Sequence, residues 1–314
     1  MGAAPMNAFQ RLVISTFGGR GLVIALPFLF LLLFFMAPFF IVGKISVSEM
    51  ETVTFKDILT WSEGVLTVSL KFGSYQFIAA DPLYWQTYLN SLQYAGATTL
   101  LCLFIGYPFA YFMARAKSTV QPALLMLVML PFWTSFLLRV YAWRGLLTDG
   151  GWVAELVVGL GLDRVLYALS MISAPGNLMH TPFSLVLGMT YTYLPFMILP
   201  LYASLAKMDL RLLEAAADLG ATPWTAFWKI TVPLSKAGII AGSMLVFIPC
   251  IGEFVIPELL GGPETLMIGR VLWDEFFSNN DWPMASSVAV VMILLIIVPL
   301  AIFNKYQAEA AEQR

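Results

Sequence analysis

The sequence predicts an all-α integral membrane protein with six transmembrane helices, and three observations carry that prediction. The chain is 60% hydrophobic and 11% charged, with a mean hydropathy of +0.82, where a soluble domain carries about 25% charged residues. Six apolar runs, at 22–43, 89–114, 122–143, 182–205, 237–257 and 285–304, approach or exceed the roughly 20 residues that a helix needs to cross a bilayer. Between the fourth and fifth runs lies a polar island, 206–236, punctuated by Gly and Pro, with the pattern of two short helices.

Taken in order, residues 1–21 are expected to form a cytoplasmic N-terminal tail. The first span is too long for the core of a signal peptide and has no small-residue cleavage site, so it is expected to be retained. The loop 45–86 carries Glu49, Glu51, Asp57, Glu63 and Asp81 among Trp61, Phe72, Tyr75, Tyr84 and Trp85, enough for short strands or helices at the membrane rim. Prolines interrupt the spans at Pro38, Pro108, Pro131, Pro195 and Pro200, which a membrane tolerates when neighbouring helices satisfy the freed carbonyls. They fit either a bundle around a pathway or kinked structural helices. In the loop 144–181 the apolar stretch Trp152–Leu162 is too short and Gly-rich to span, and is expected to lie in the interface or cap the bundle. With no internal repeat and no low-complexity linker, residues 1–314 read as one transmembrane domain.

Even parity puts both termini on one side. With the ends, 115–121 and 206–236 assigned to the cytoplasm, ten of the 17 basic residues but five of the 19 acidic ones fall inside. The Lys/Arg bias favours N-in, C-in, with 45–86 and 144–181 outside. An acidic outer face concentrates cations near an entrance; the plainer reading is that exported loops lack Lys and Arg.

Within 206–236, Asp209 is placed to cap a helix from Leu210. Leu210, Leu213 and Ala217 share a face, and Arg211 and Glu214 have the spacing of a weak ion pair. Gly220 suits the left-handed residue that ends a helix. Thr222-Pro223 reads as a second start, Trp224, Phe227 and Trp228 form an aromatic face, and Pro233 is expected to end the second helix. Such an element either offers itself to a partner or lies on the membrane.

Glu214-Ala215-Ala216, Gly220, Ile230 and Pro233 together resemble the EAA motif of ABC-importer permeases, with Val232 where that pattern has Leu. The resemblance implies the type I importer permease fold and makes these six residues the docking element for an ATPase. Leu130–Trp143, Phe247–Pro263 and Met267–Trp273 are similar to segments of polyamine permeases, and the Asp81–Tyr84 region with the long first outer loop resembles the putrescine-system member. The family implies a bacterial inner-membrane subunit that imports putrescine or a related amine. It implies as partners a second homologous permease, a dimeric ATP-binding cassette ATPase holding ATP and Mg, and a periplasmic polyamine-binding protein. Membrane lipid surrounds such a chain and nucleic acid is no partner.

No phosphate loop, zinc-protease motif or dinucleotide fingerprint occurs. His180 is the sole histidine, with no evident partner, and Cys102 and Cys250 fall in apolar runs. The chain therefore reads as non-enzymatic and without a cofactor of its own. Glu253 and Glu258 close the fifth span, where a carboxylate calls for a partner: a transiting ammonium or, within the chain, Arg139 or Arg270. Pro257 and Gly261-Gly262-Pro263 suggest a broken or re-entrant backbone. Carboxylates with aromatic faces between them suit an alkyl diammonium. Trp133, Tyr141, Tyr191, Tyr193 and Trp273 are the aromatic candidates, any of which also fits an interfacial belt. Asp274, Glu275 and Asp281 either seat a binding protein or solvate the last outer loop. Outside this family, a stand-alone cation carrier or a membrane scaffold remains as the alternative.

Overall fold

A computed structural model describes residues 19–51, 54–55, 59–62 and 65–312, with side chains for 23–50, 69–301 and Lys305. Arg11, Asp57, Glu63 and Arg314 lie outside the described residues, and Arg20, Glu51 and Trp61 outside the described side chains. Two compact units result, one of residues 19–75 with 281–290, the other of 76–280 with 291–312.

In the first unit, α1 runs Gly19–Leu31 and continues through a π turn at Leu32–Met36 into Ala37–Ser46. Two antiparallel hairpins follow, β1 (Met50–Glu51) with β2 (Thr54–Phe55) and β3 (Leu59–Ser62) with β4 (Val65–Val68). These are the short strands the first loop was expected to hold. Ser46 ties the unit together: its hydroxyl accepts from Tyr75 Oη at 2.9 Å, and its carbonyl accepts from Ser287 Oγ at 3.0 Å. Asp281 caps the last helix, accepting from Met284 N at 3.0 Å.

The second unit contains α2 (Gly73–Ala80, from Gln76 on), α3 (Pro82–Arg115), α4 (Gln121–Trp133), α5 (Phe136–Leu147), α6 (Trp152–Gly159), α7 (Leu162–Ala168) and α8 (Pro182–Leu205). Then come α9 (Arg211–Asp218), α10 (Pro223–Leu234), α11 (Lys236–Ile251), α12 (Val255–Leu260) and α13 (Ile268–Trp273), which a π turn extends through Ser278. The last helix, α14 (Trp282–Glu312), belongs to both units. Helix starts follow local chemistry. Asp81 Oδ1 accepts from Leu83 N at 2.8 Å with Pro82 at the first position, so α3 begins seven residues before the expected span. Thr181 and Ser184 form a reciprocal capping box at the start of α8.

Among the described residues, four helices are long and apolar enough to cross a membrane, and two bent pairs bring the number to six if each pair is one span. The third span, expected to be continuous over 122–143, is bent by 88° between α4 and α5. Pro131 lies in a 3-10 turn, Thr134 is extended, and its hydroxyl takes the Pro131 carbonyl at 2.8 Å. Each arm, at 1.5 Å per residue, is about 20 Å long and falls short of a ~30 Å hydrocarbon core. The second bent pair, α10 and α11, is bent by 64°, and α11 stops at Ile251, six residues before the expected end of the fifth span. Pro108, Pro195 and Pro200 sit inside unbroken helices.

The core of this unit is where α3, α8 and α11 meet, with Met113, Leu185, Met189, Met197, Leu201 and Ile251 fully buried. Small residues set the approach, as in other membrane bundles. A Cβ at Gly238 would lie 2.6 Å from Ser204 Cβ, and one at Gly242 would lie 2.8 Å from Met197 Sδ. The stretch 152–162 folds into α6 and the start of α7, and Ala154 and Val157 pack with Leu147, Ile172 and Leu178 in a small separate core.

Candidate docking and transport sites

The polar island folds as two helices around a corner. Asp209 Oδ1 accepts from Arg211 N at 3.0 Å, and the first helix, α9, starts one residue later than expected. Its corner is a Schellman turn: Gly220 adopts φ +79°, its N–H reaches Ala217 O and Ala221 N reaches Ala216 O, both at 2.9 Å. Thr222 Oγ1 then accepts from Thr225 N at 3.3 Å, with Pro223 first in α10. Three details differ from the sequence expectation. The inward positions are Leu213 and Ala216 while Leu210 and Ala217 are exposed, because a two-turn helix takes its inner face from what it rests on. Arg211 and Glu214 form no ion pair among the described residues. Pro233 does not stop the second helix, which runs on to Leu234 and bends at Ser235.

Glu214, Ala215, Gly220 and Pro233 are exposed, Ile230 is half-buried, and Ala216 is buried beneath the corner. The outward surface is apolar at its tip, where Leu219 is 88% exposed and Trp224 70%.

At the other end of α11, Glu253 is buried and bound by its own chain. Oε1 accepts from the amides of Phe254, Val255 and Ile256 at 3.2, 3.0 and 3.5 Å, and Oε2 from Tyr193 Oη at 2.5 Å. It therefore caps α12 and ties it to α8. Glu258 is half exposed, and Arg270 Nε lies 2.7 Å from its Oε2 and 3.9 Å from Asp274 Oδ2. Arg270 Nε makes no directed hydrogen bond, so these contacts are charge pairs. Arg270, of the alternatives weighed, is the partner of Glu258. Arg139 partners neither acid; its Nε and Nη1 are buried without acceptors and its guanidinium lies 6.0 Å from the Phe136 ring centre.

The aromatic candidates divide. Tyr193 belongs with Glu253, while Tyr191, two positions earlier, stands edge-on to Trp143 at 5.4 Å. Trp273 is stacked on Phe254 at 4.4 Å and 9°, with Phe277 4.1 Å away, and is still 41% exposed. Trp133 and Tyr141 are exposed on the two arms of the 88° bend. Glu275 accepts from Tyr84 Oη at 2.8 Å and so joins α13 to α3.

Residues 102–311 match the family of binding-protein-dependent transport system inner membrane components. The chain belongs to this family. It is therefore a non-catalytic inner-membrane permease component. The spermidine/putrescine transport system permease protein PotB of Haemophilus influenzae is 41% identical over 228 residues, 73% of this permease and 76% of that protein. PotB of Escherichia coli is 40% identical over 223 residues, covering 71% and 78%. The inner membrane ABC transporter permease protein YdcU of E. coli is 32% identical over 286 residues, covering 90% and 91%. A solved bacterial ABC transporter that imports alginate superposes with a TM-score of 0.60 at 17% identity, over 97% of this permease and 99% of that chain, which shows the fold. The same transporter has been solved with its alginate-pentasaccharide-bound periplasmic protein.

Sequence reasoning named Glu258, Arg270 and Trp273 but missed two features of the permease. One is Phe254, which completes a clasp between α12 and α13, Phe254 on Trp273 and Glu258 on Arg270, whose members sit four residues apart on one side and three on the other. That matched spacing was the available signal. The other is the set that holds α10 against α3, Tyr107, Tyr111, Phe227 and Ser235.

Proposed function

We propose that this permease is one membrane half of an ATP-driven importer of putrescine or a closely related polyamine. The observation that carries the reading is the exposed helix–corner–helix of residues 209–233, rigidly capped at both starts and apolar at its tip, in a binding-protein-dependent permease. Glu214, Ala215, Gly220, Ile230 and Pro233, around the inward Ala216, are the element that docks on the ATPase. A dimeric ATPase would hold ATP and Mg, a second homologous permease would supply the other half of the pathway, and a periplasmic binding protein would deliver the amine. Nucleotide-driven closure of the ATPase then shifts the permease between states because its docking surface differs between them.

The substrate class is supported by relatives at about 40% identity named for spermidine and putrescine. It is also supported by the half-exposed carboxylates Glu258 and Asp274, which are shared by a single cation, Arg270, and so leave one negative charge over. Tyr191, Trp133, Tyr141 and Trp273, each at least a third exposed, remain the side chains available to a passing alkyl ammonium. Tyr193 and Glu253 shape the pathway from behind.

The test is ATP hydrolysis by the reconstituted complex with its binding protein, offered putrescine, spermidine or an unrelated sugar. Stimulation by putrescine alone is expected. Equal stimulation by spermidine widens the substrate and keeps the mechanism; no response to either amine removes the polyamine assignment.

A further inference from the structure

The second helix of the docking element is attached to the membrane bundle twice, and only one attachment is the chain itself. Covalently, α10 passes through Ser235 into α11 at the 64° bend. The other attachment is aromatic. Phe227 stands edge-on to Tyr107 at 5.6 Å and to Tyr111 at 6.2 Å, both near the end of α3. Trp224 stacks on Phe227 from outside at 6.1 Å and 21°, and the Arg115 guanidinium lies 5.1 Å from the Tyr111 ring centre. A π turn, an uncommon geometry in helices, begins at Phe227 and runs to Thr231.

Tyr107 also reaches the corner. Its hydroxyl lies 2.8 Å from Ser235 Oγ, and Ser235 Oγ donates to Val232 O at 3.1 Å. Either hydroxyl can supply the proton of the bond between them. Ser235 is 1% exposed, and water is not at hand to replace that bond. One residue away, a Cβ at Gly106 would lie 3.2 Å from Met197 Cγ, so α3 meets α8 closely beside this contact.

We propose that Tyr107 is a positioning residue for energy coupling: its hydroxyl fixes the Ser235 corner while its ring, with Tyr111, grips Phe227. Displacement of the docking helices is then delivered to α3 directly as well as along the chain into α11. The inference rests on the reading that residues 209–233 dock on the ATPase. A ring that only filled space would need no hydroxyl, so Tyr107→Phe separates positioning from packing.

The experiment measures amine uptake and ATP hydrolysis in the same proteoliposomes, with the complete complex carrying Tyr107→Phe, Ser235→Ala or both. ATP hydrolysis per assembled complex is expected to stay within about twofold, while amine carried per ATP falls about fivefold, the factor by which losing one buried hydrogen bond shifts a two-state balance. The double variant should be no worse than Ser235→Ala alone, because that change already removes the bond to Tyr107 together with the one to Val232. Uptake and hydrolysis falling together, with their ratio unchanged, overturns the proposal. Crosslinking of Leu219→Cys to the ATPase in the otherwise unaltered complex tests the underlying reading. Without a crosslink, docking and positioning fall together; with a crosslink and an unchanged ratio, only the role of Tyr107 falls.

Discussion

Glu253 receives three backbone amides on one oxygen and a tyrosine hydroxyl on the other. Glutamine in its place keeps the shape but sets a donating NH2 where an accepting oxygen stood, so bonds on one side are lost, at about 1–3 kcal/mol. Glu253→Gln is therefore expected to lower the amount of assembled complex on size-exclusion chromatography, with uptake per complex retained. Full assembly with uptake lost would instead put Glu253 in contact with the substrate. Glu258→Gln is expected to behave in the opposite way. Its side chain is half exposed, and Asp274, 3.9 Å from Arg270 Nε, stays to balance that buried nitrogen when Glu258 is replaced, so assembly stays normal while amine uptake changes. The free space at Gly220 matters in the same way: an added Cβ meets nothing within 4 Å, so a larger side chain there is resisted by the positive φ and by whatever docks, not by this chain.

Between elements, the spacing of α8 and α11 is set by absent side chains. Gly238→Val would push a Cβ to 2.6 Å from Ser204 and 2.9 Å from the Pro200 carbonyl oxygen, which neither backbone can yield cheaply. The expected cost is about 1–3 kcal/mol, read as a lower melting temperature of the purified complex. Gly96→Ala, with nothing within 4 Å of its Cβ, is the matched control and should leave the melt unchanged. The helix–corner–helix was legible in the sequence because its determinants are local: Asp209, Gly220 and Thr222-Pro223 each act within three residues. The 88° bend was not, because hydropathy gives the length of an apolar run and no angle. Nor were the contacts of Tyr107 with Ser235 and Phe227, more than a hundred residues apart in the chain, which no periodicity encodes.

Across the molecule, the six apolar runs are real, but they are not six equivalent helices. In α8, 67% of the most apolar window is buried, against none of it in α1. The first span is also much the more apolar, with a mean hydropathy of 2.6 against 1.4 in α8, so the two spans carry two kinds of constraint. In α1, where Val23, Phe28, Phe34 and Phe40 are all mostly exposed, aliphatic and aromatic exchanges should be neutral. A charge near the middle should cost about 2.5–3.5 kcal/mol. A saturation scan scored by growth on an imported amine checks this, and a shape-specific stripe of intolerance would reveal a protein neighbour instead of lipid. In α8, even Leu-to-Ile exchanges should be selected against. The two helices then diverge at different tempos, the first drifting freely within an oily alphabet and the other held nearly letter by letter.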